Sequence, residues 1–174
     1  MIIDLTWFQD VIPRSIGIRF VDSTHWTDDD AGMVIWTDAS LHLGLGCYYA
    51  SNALVYQLRP PPPEIKIDIF FLELIAILSG IYHIASLPKP PCCLLLFIDS
   101  LDSICVLNTL SASEPIHTAP LLGIAEITLF SGIDLCVWHI AGISNIRADM
   151  LSQLLLEDYS HQFPSDHVRT LVPP

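Results

Sequence analysis

The chain has 174 residues, of which 52% are hydrophobic and only 15% charged, so a disordered polypeptide is excluded and one sizeable core is expected. Seven Lys plus Arg stand against 19 Asp plus Glu, a formal charge of −12, which excludes an autonomous basic grip on nucleic-acid phosphates. A mean hydropathy of +0.52 is high for a free-standing domain and points to a partner surface.

Residues 1–31 read as a lead-in anchored by Trp7 and Trp26, with an acidic run at Asp28, Asp29 and Asp30. The start lacks a basic segment ahead of an apolar one, so no targeting signal is expected. An apolar strand over 33–37 ends at Asp38, a second strand covers 44–50, and a turn at Ser51-Asn52 leads into a third over 53–58. Four prolines at 60–63 form a stiff surface connector. The apolar run 68–86 is long enough to be a buried helix. Its uncharged part, 74–87, is too short to cross a bilayer, so no membrane partner is expected. A buried strand over 94–98 stops at Asp99-Ser100, and helices follow over 101–110 and from about Pro120 to Ser131, where Gly132 closes the second. A strand over 135–139 precedes a last helix that Asn145 caps and that runs through Leu156. Residues 157–174 read as a polar, mobile tail. Five cysteines without a Cys-x-x-Cys pair fit a reducing, intracellular compartment, cytoplasm or nucleus. The order of elements implies an α/β fold with a mixed sheet and helices on both faces.

Four carboxylates sit where carboxylates are costly. Glu73 shares its helical face with Ile69, Ala76, Ile77 and Gly80, and an ionised group there needs a cation or several donors. Asp38 and Asp99 end apolar strands, and Asp149 lies in the first turn of the last helix. Singly these are a turn residue, a cap and a dipole-favoured acid. Jointly they converge at one end of a sheet. Of the seven basic residues only Arg147 falls within a candidate motif, so hard divalent cations are the natural counter-charge, and they would let an acidic protein approach a phosphodiester.

These residues also carry a family resemblance. Thr37-Asp38-Ala39-Ser40 followed by Gly44-Leu45-Gly46 resembles the first strand and hairpin of the ribonuclease H domain in retrotransposon reverse transcriptases. Phe71-Leu72-Glu73-Leu74-Ile75-Ala76 resembles that domain's glutamate helix, and Phe97-Ile98-Asp99-Ser100 its central strand. The stretch from His139 through Gly142, Asn145, Ala148-Asp149 and Leu151-Ser152 to Gln153 is similar to the H-x-x-G-x-x-N-x-x-A-D-x-L-S-R signature of such elements. The blocks fall in the family's order over residues 33–153.

The resemblance implies a ribonuclease H-like fold with a five-stranded sheet, three antiparallel strands followed by parallel ones, over residues 32–156. It implies a two-metal phosphodiesterase that cuts the RNA strand of an RNA–DNA hybrid to a 3′-hydroxyl and a 5′-phosphate. Two Mg²⁺ ions, with Mn²⁺ able to substitute, would lie on Asp38, Glu73, Asp99 and Asp149: Asp38 bridging, Asp149 at the water-activating ion, Glu73 and Asp99 at the leaving oxygen. Ser40, Ser100 and Asn145 would contact substrate. The 1–31 segment would be the connection from a polymerase domain, joined in cis now or formerly, that supplies the missing grip. Gln153 departs from the family's basic residue, and no histidine lies between Gly142 and Asn145, where cellular relatives carry one. His139 reads as a strand-end residue. The alternative is a catalytically silent remnant that acts as an interaction module.

Overall fold

Side chains alternate across the strand Met33–Ala39 (β1), so that Ile35 and Thr37 are buried on one face while Trp36 and Asp38 turn to the other. In the computed structural model, which describes residues 2–14, 28–62, 64 and 66–174, this strand is third in a six-stranded sheet. It pairs antiparallel with Gly44–Tyr49 (β2), and β2 pairs antiparallel with Asn52–Gln57 (β3). The turn between them is Ala50-Ser51, both at positive φ (40° and 62°), the backbone that suits a tightly twisted two-residue hairpin. On its other side β1 pairs in parallel with Cys93–Ile98 (β4), which pairs in parallel with Asp134–His139 (β5).

Parallel neighbours need crossovers, and helices supply them. The helix Ile69–Ala85 (α2) links β3 to β4, and Asp68 caps it by accepting from the Phe71 N–H at 2.7 Å. Leu101–Thr109 (α3) and Pro115–Ser131 (α4) link β4 to β5. The α2 helix lies on the Ile35 face, where a Cβ on Gly80 would meet Ile35, Thr37 and Cys47. It buries Ile77, Ile81 and Ile84 in one core cluster with Leu45, Leu94 and Leu96. Each such side chain contributes about 2 kcal/mol. On the opposite face lies Ile146–Ser152 (α5), packed on β1, β2 and β3.

The sequence reading differs from the structure in four places. The last helix stops at Ser152, since Leu154 takes a left-handed φ of 58°, and a separate helix, Leu156–Gln162 (α6), follows. The segment read as a mobile tail is folded, and it adds a sixth strand, His167–Thr170 (β6), parallel to β3. Tyr159 and Leu171 are fully buried, and the Asp166 carboxylate, 1% exposed, accepts from Arg147 Nε at 3.0 Å and the Tyr159 hydroxyl at 2.8 Å. The Arg147 guanidinium stacks over the rings of Tyr48 and Phe163. The α4 helix begins at Pro115, not Pro120: Pro115 is pre-set for the first helical position, and Pro120 costs one backbone bond in a buried turn. Finally, a helix at Ile2–Val11 (α1), which buries Val11, occupies part of the lead-in; Trp26 lies outside the described residues.

The contact of α5 with β2 is a backbone contact. A Cβ on Gly46 would stand 2.2 Å from the Ala148 carbonyl oxygen and 2.8 Å from the Ser152 nitrogen, neither of which can move without shifting the helix. Gly46→Ala should therefore destabilise the chain by about 3 kcal/mol or more, read as a lowered urea midpoint. A loss within 0.5 kcal/mol would show that α5 is not seated on this residue.

Candidate metal-dependent active site

Both strand-end aspartates lie at one end of the sheet because β1 and β4 run parallel, with Trp36 level with Phe97 and Asp38 and Asp99 each two residues further on. The α2 helix, on the Ile35 face, brings Glu73 to the same end. Thr37, Asp38, Glu73, Ile77, Ile98, Asp99 and Ser100 together line one small depression. Asp149 does not line it, but from α5, packed on β1 and β2, it comes close enough to act electrostatically on Asp38. The structure thus brings all four predicted acids into one neighbourhood.

Their electrostatics follow from that placement. Burial pushes the Asp38 carboxyl up to about 7; a hydrogen bond from Ser152 opposes this, and the charges of Asp99, Asp149 and Glu73 add to it. Burial likewise raises Glu73, opposed by hydrogen bonds from Ser100 and Ser103 and assisted by Asp99 and Asp102. Among the described residues, no basic side chain is named in either balance. The cluster is held by hydroxyls instead. Ser103, fully buried in the first turn of α3, donates to Glu73 Oε2 at 2.9 Å and lies 3.0 Å from Ser100 Oγ. Ser152 Oγ contacts Asp38 Oδ2. Gly142 leaves no room beside Asp99, whose Oδ2 would stand 3.1 Å from an added Cβ.

Three further residues were expected to touch substrate. Ser40 is half-buried in the hairpin just beyond Asp38, its N–H bonded to the Gly44 carbonyl at 2.9 Å. Ser100 caps α3 and turns its hydroxyl on Glu73 and Ser103, so it serves the acid cluster from within. Asn145 stands at the N-cap position of α5, as expected, but its side chain makes no cap bond there. It is 2% exposed and donates Nδ2–H to the Thr37 carbonyl at 3.0 Å, which ties the start of α5 to β1 beside Asp38. Its Oδ1 is buried and has no hydrogen-bond partner among the described residues. Ser103 and Ser152 were not foreseen. Ser152 sat inside the signature, but nothing local marked either hydroxyl as a carboxylate partner.

Four carboxylates, oxygen donors with hydroxyl partners and, among the described residues, no opposing side-chain cation, make a donor set suited to Mg²⁺ or Mn²⁺. A tighter grouping lies elsewhere. Asp68, Glu114 and His117 place ligand-type atoms within 4.8 Å of one another, closer than the four acids gather. That group is already employed in the fold: Asp68 caps α2, and His117 Nε2 stands 3.0 Å and 3.1 Å from its two oxygens, tying the first turn of α4 to it. The positive ends of two helices also meet there, which disfavours a further cation.

Comparison with solved structures finds relatives of the fold. The RNase H1 of the halophilic archaeon Halobacterium salinarum is 16% identical with a TM-score of 0.55, covering 72% of this chain and 98% of that one. LC11-RNase H1, solved in complex with an RNA/DNA hybrid, is 17% identical with a TM-score of 0.53, over 68% and 92% of the two chains. The N-terminal RNase H domain of a Mycobacterium tuberculosis protein is 11% identical with a TM-score of 0.50, over 75% and 96%. No family model matches the chain, and no curated protein sequence does. The fold is therefore the α/β ribonuclease H-like fold, with a sixth strand contributed by the C-terminal segment.

Proposed function

We propose that the chain is a metal-dependent nuclease that hydrolyses the RNA strand of RNA–DNA hybrids, derived from a retrotransposon-type reverse transcriptase. The observation that carries this reading is the gathering of Asp38, Glu73, Asp99 and Asp149 at one end of the sheet, where burial first, and the neighbouring carboxylates after it, raise the Asp38 carboxyl to about 7. Such an arrangement destabilises the metal-free chain, and divalent cations relieve it. The fold likeness supports the substrate class, since one structural neighbour holds an RNA/DNA hybrid. The retroelement origin rests on the four sequence blocks, the last of which places Asn145, Asp149 and Ser152 on the two ends and the middle of the α5 segment.

In this reading Asp38, Glu73, Asp99 and Asp149 would hold two Mg²⁺ ions, which when bound would lower the pKa of water and neutralise charge at the scissile phosphate. The chain's own contribution is placement. Asp38 and Asp149 are brought together by α5, and Glu73 is aimed at the same end by Ser100 and Ser103. Ser40 stands at the rim as a candidate for substrate contact. Among the described basic residues, Arg14 packs over Phe130 and Arg147 is bound to Asp166, which leaves few cations for phosphate. A polymerase domain in cis supplies the main grip on the hybrid. Purified chain should cut labelled RNA in a hybrid with Mg²⁺ or Mn²⁺, leave duplex DNA intact, and lose activity in chelator, at raised salt, and as Asp99→Asn or Glu73→Gln. Folded wild-type chain that cuts nothing at low salt, even fused behind a polymerase domain, would establish the silent remnant instead.

The raised Asp38 also makes stability depend on pH. Between pH 4 and 7 the folded chain holds a proton on Asp38 that the unfolded chain, with its ordinary carboxyl pKa of 3.8, has lost. Stability from this group is thus full at low pH and declines as pH rises through about 7. In chelator, Asp38→Asn should be more stable than wild type by on the order of 2 kcal/mol at pH 8, with the difference vanishing towards pH 4. Equal or lower stability of the variant at pH 8 would mean that ionised Asp38 is already compensated.

A further inference from the structure

Ser152 closes α5 with a fully buried hydroxyl. A serine in a helix ordinarily bonds a carbonyl three or four residues back, and Ser152 Oγ does lie 2.9 Å from the Asp149 carbonyl. It also contacts Asp38 Oδ2, on a strand 114 residues away in sequence. A hydroxyl has one proton to give, and an ionised carboxylate is the stronger acceptor. The meeting is built in by Gly46, which pairs with Asp38 across β1–β2 and whose bare backbone admits the Ser152 end of α5. At the other end of the same helix, Asn145 holds the carbonyl of Thr37, the residue before Asp38. Asp149 lies between these two tethers.

Building on the reading of Asp38 and Asp149 as metal-holding residues, we propose that Ser152 is a positioning residue for that pair. Its hydroxyl fixes one oxygen of the β1 carboxylate from the helix that carries the second carboxylate, and so sets their mutual register before any ion arrives. Partners of this outer kind change metal affinity by roughly 10- to 100-fold when removed. A merely structural hydroxyl would change melting temperature alone.

The test is a Mn²⁺ titration of the full chain, followed by the free-ion signal in electron paramagnetic resonance, with hybrid cleavage measured in parallel. Ser152→Ala should shift the Mn²⁺ midpoint upward by about tenfold while leaving the KM for hybrid unchanged. Ser160→Ala, which removes a hydroxyl bonded only to the Leu156 carbonyl on α6, should leave the midpoint in place. If Ser152→Ala does not fold, Ser152→Cys, nearly the same size with a weak donor, reads the same shift. A lowered melting temperature with an unchanged Mn²⁺ midpoint overturns the proposal alone. Wild-type chain that takes up no Mn²⁺ overturns the functional reading and this inference with it.

Discussion

The architecture turns on one close approach, that of the α5 backbone to Gly46. Glycine at that point of β2 lets a helix lie directly on the sheet, and the residue paired with it across β1 is Asp38. The helix then reaches Asp38 with Ser152, reaches the preceding carbonyl with Asn145, and carries Asp149 between them. The same helix presents Arg147 to Asp166, so the C-terminal strand docks on the outer side of the unit that organises the acids. A substituent on Gly46 would push against all of these contacts together.

Carboxylates gathered in this way meet no side-chain cation among the described residues. Arg147, the basic residue nearest to the signature acids in sequence, spends its charge on the buried Asp166 and its flat faces on Tyr48 and Phe163. Hydroxyls of Ser100, Ser103 and Ser152 steady the acids without neutralising them. Such a cluster is poised for a divalent cation, and its cost is carried by an apolar core of Leu, Ile and Ala side chains on the other face of the sheet. The contrast with Asp68 is instructive: there a carboxylate meets two helix starts and a histidine, and its charge is already satisfied by N–H donors.

Much of this was legible in the residues because the acids interrupt apolar runs. Asp38 and Asp99 end strands whose hydrophobic stretches are unmistakable, and Glu73 is a lone charge in an apolar helix. The succession of strands and helices along the chain, and with it a mixed sheet, followed from the same runs. What escaped notice were pairings at long range. Ser103 meets Glu73 across 30 residues and Ser152 meets Asp38 across 114, and serines within helices carry no mark of such partners. The C-terminal strand escaped because all four of its residues are exposed, so no alternation betrays it, and its anchors Tyr159, Asp166 and Leu171 are scattered among polar neighbours. Asn145 does stand at the start of the helix, but the bond of its Nδ2 to the Thr37 carbonyl spans 108 residues and has no local mark.

The central claim is that the gathered acids, and not the Asp68 group, form the divalent metal site. Paramagnetic broadening of backbone amide signals by sub-stoichiometric Mn²⁺ reads this residue by residue. The account predicts selective loss of signals around Asp38, Glu73, Asp99 and Asp149. Broadening confined to the neighbourhood of Asp68, Glu114 and His117, or none at all, would contradict it.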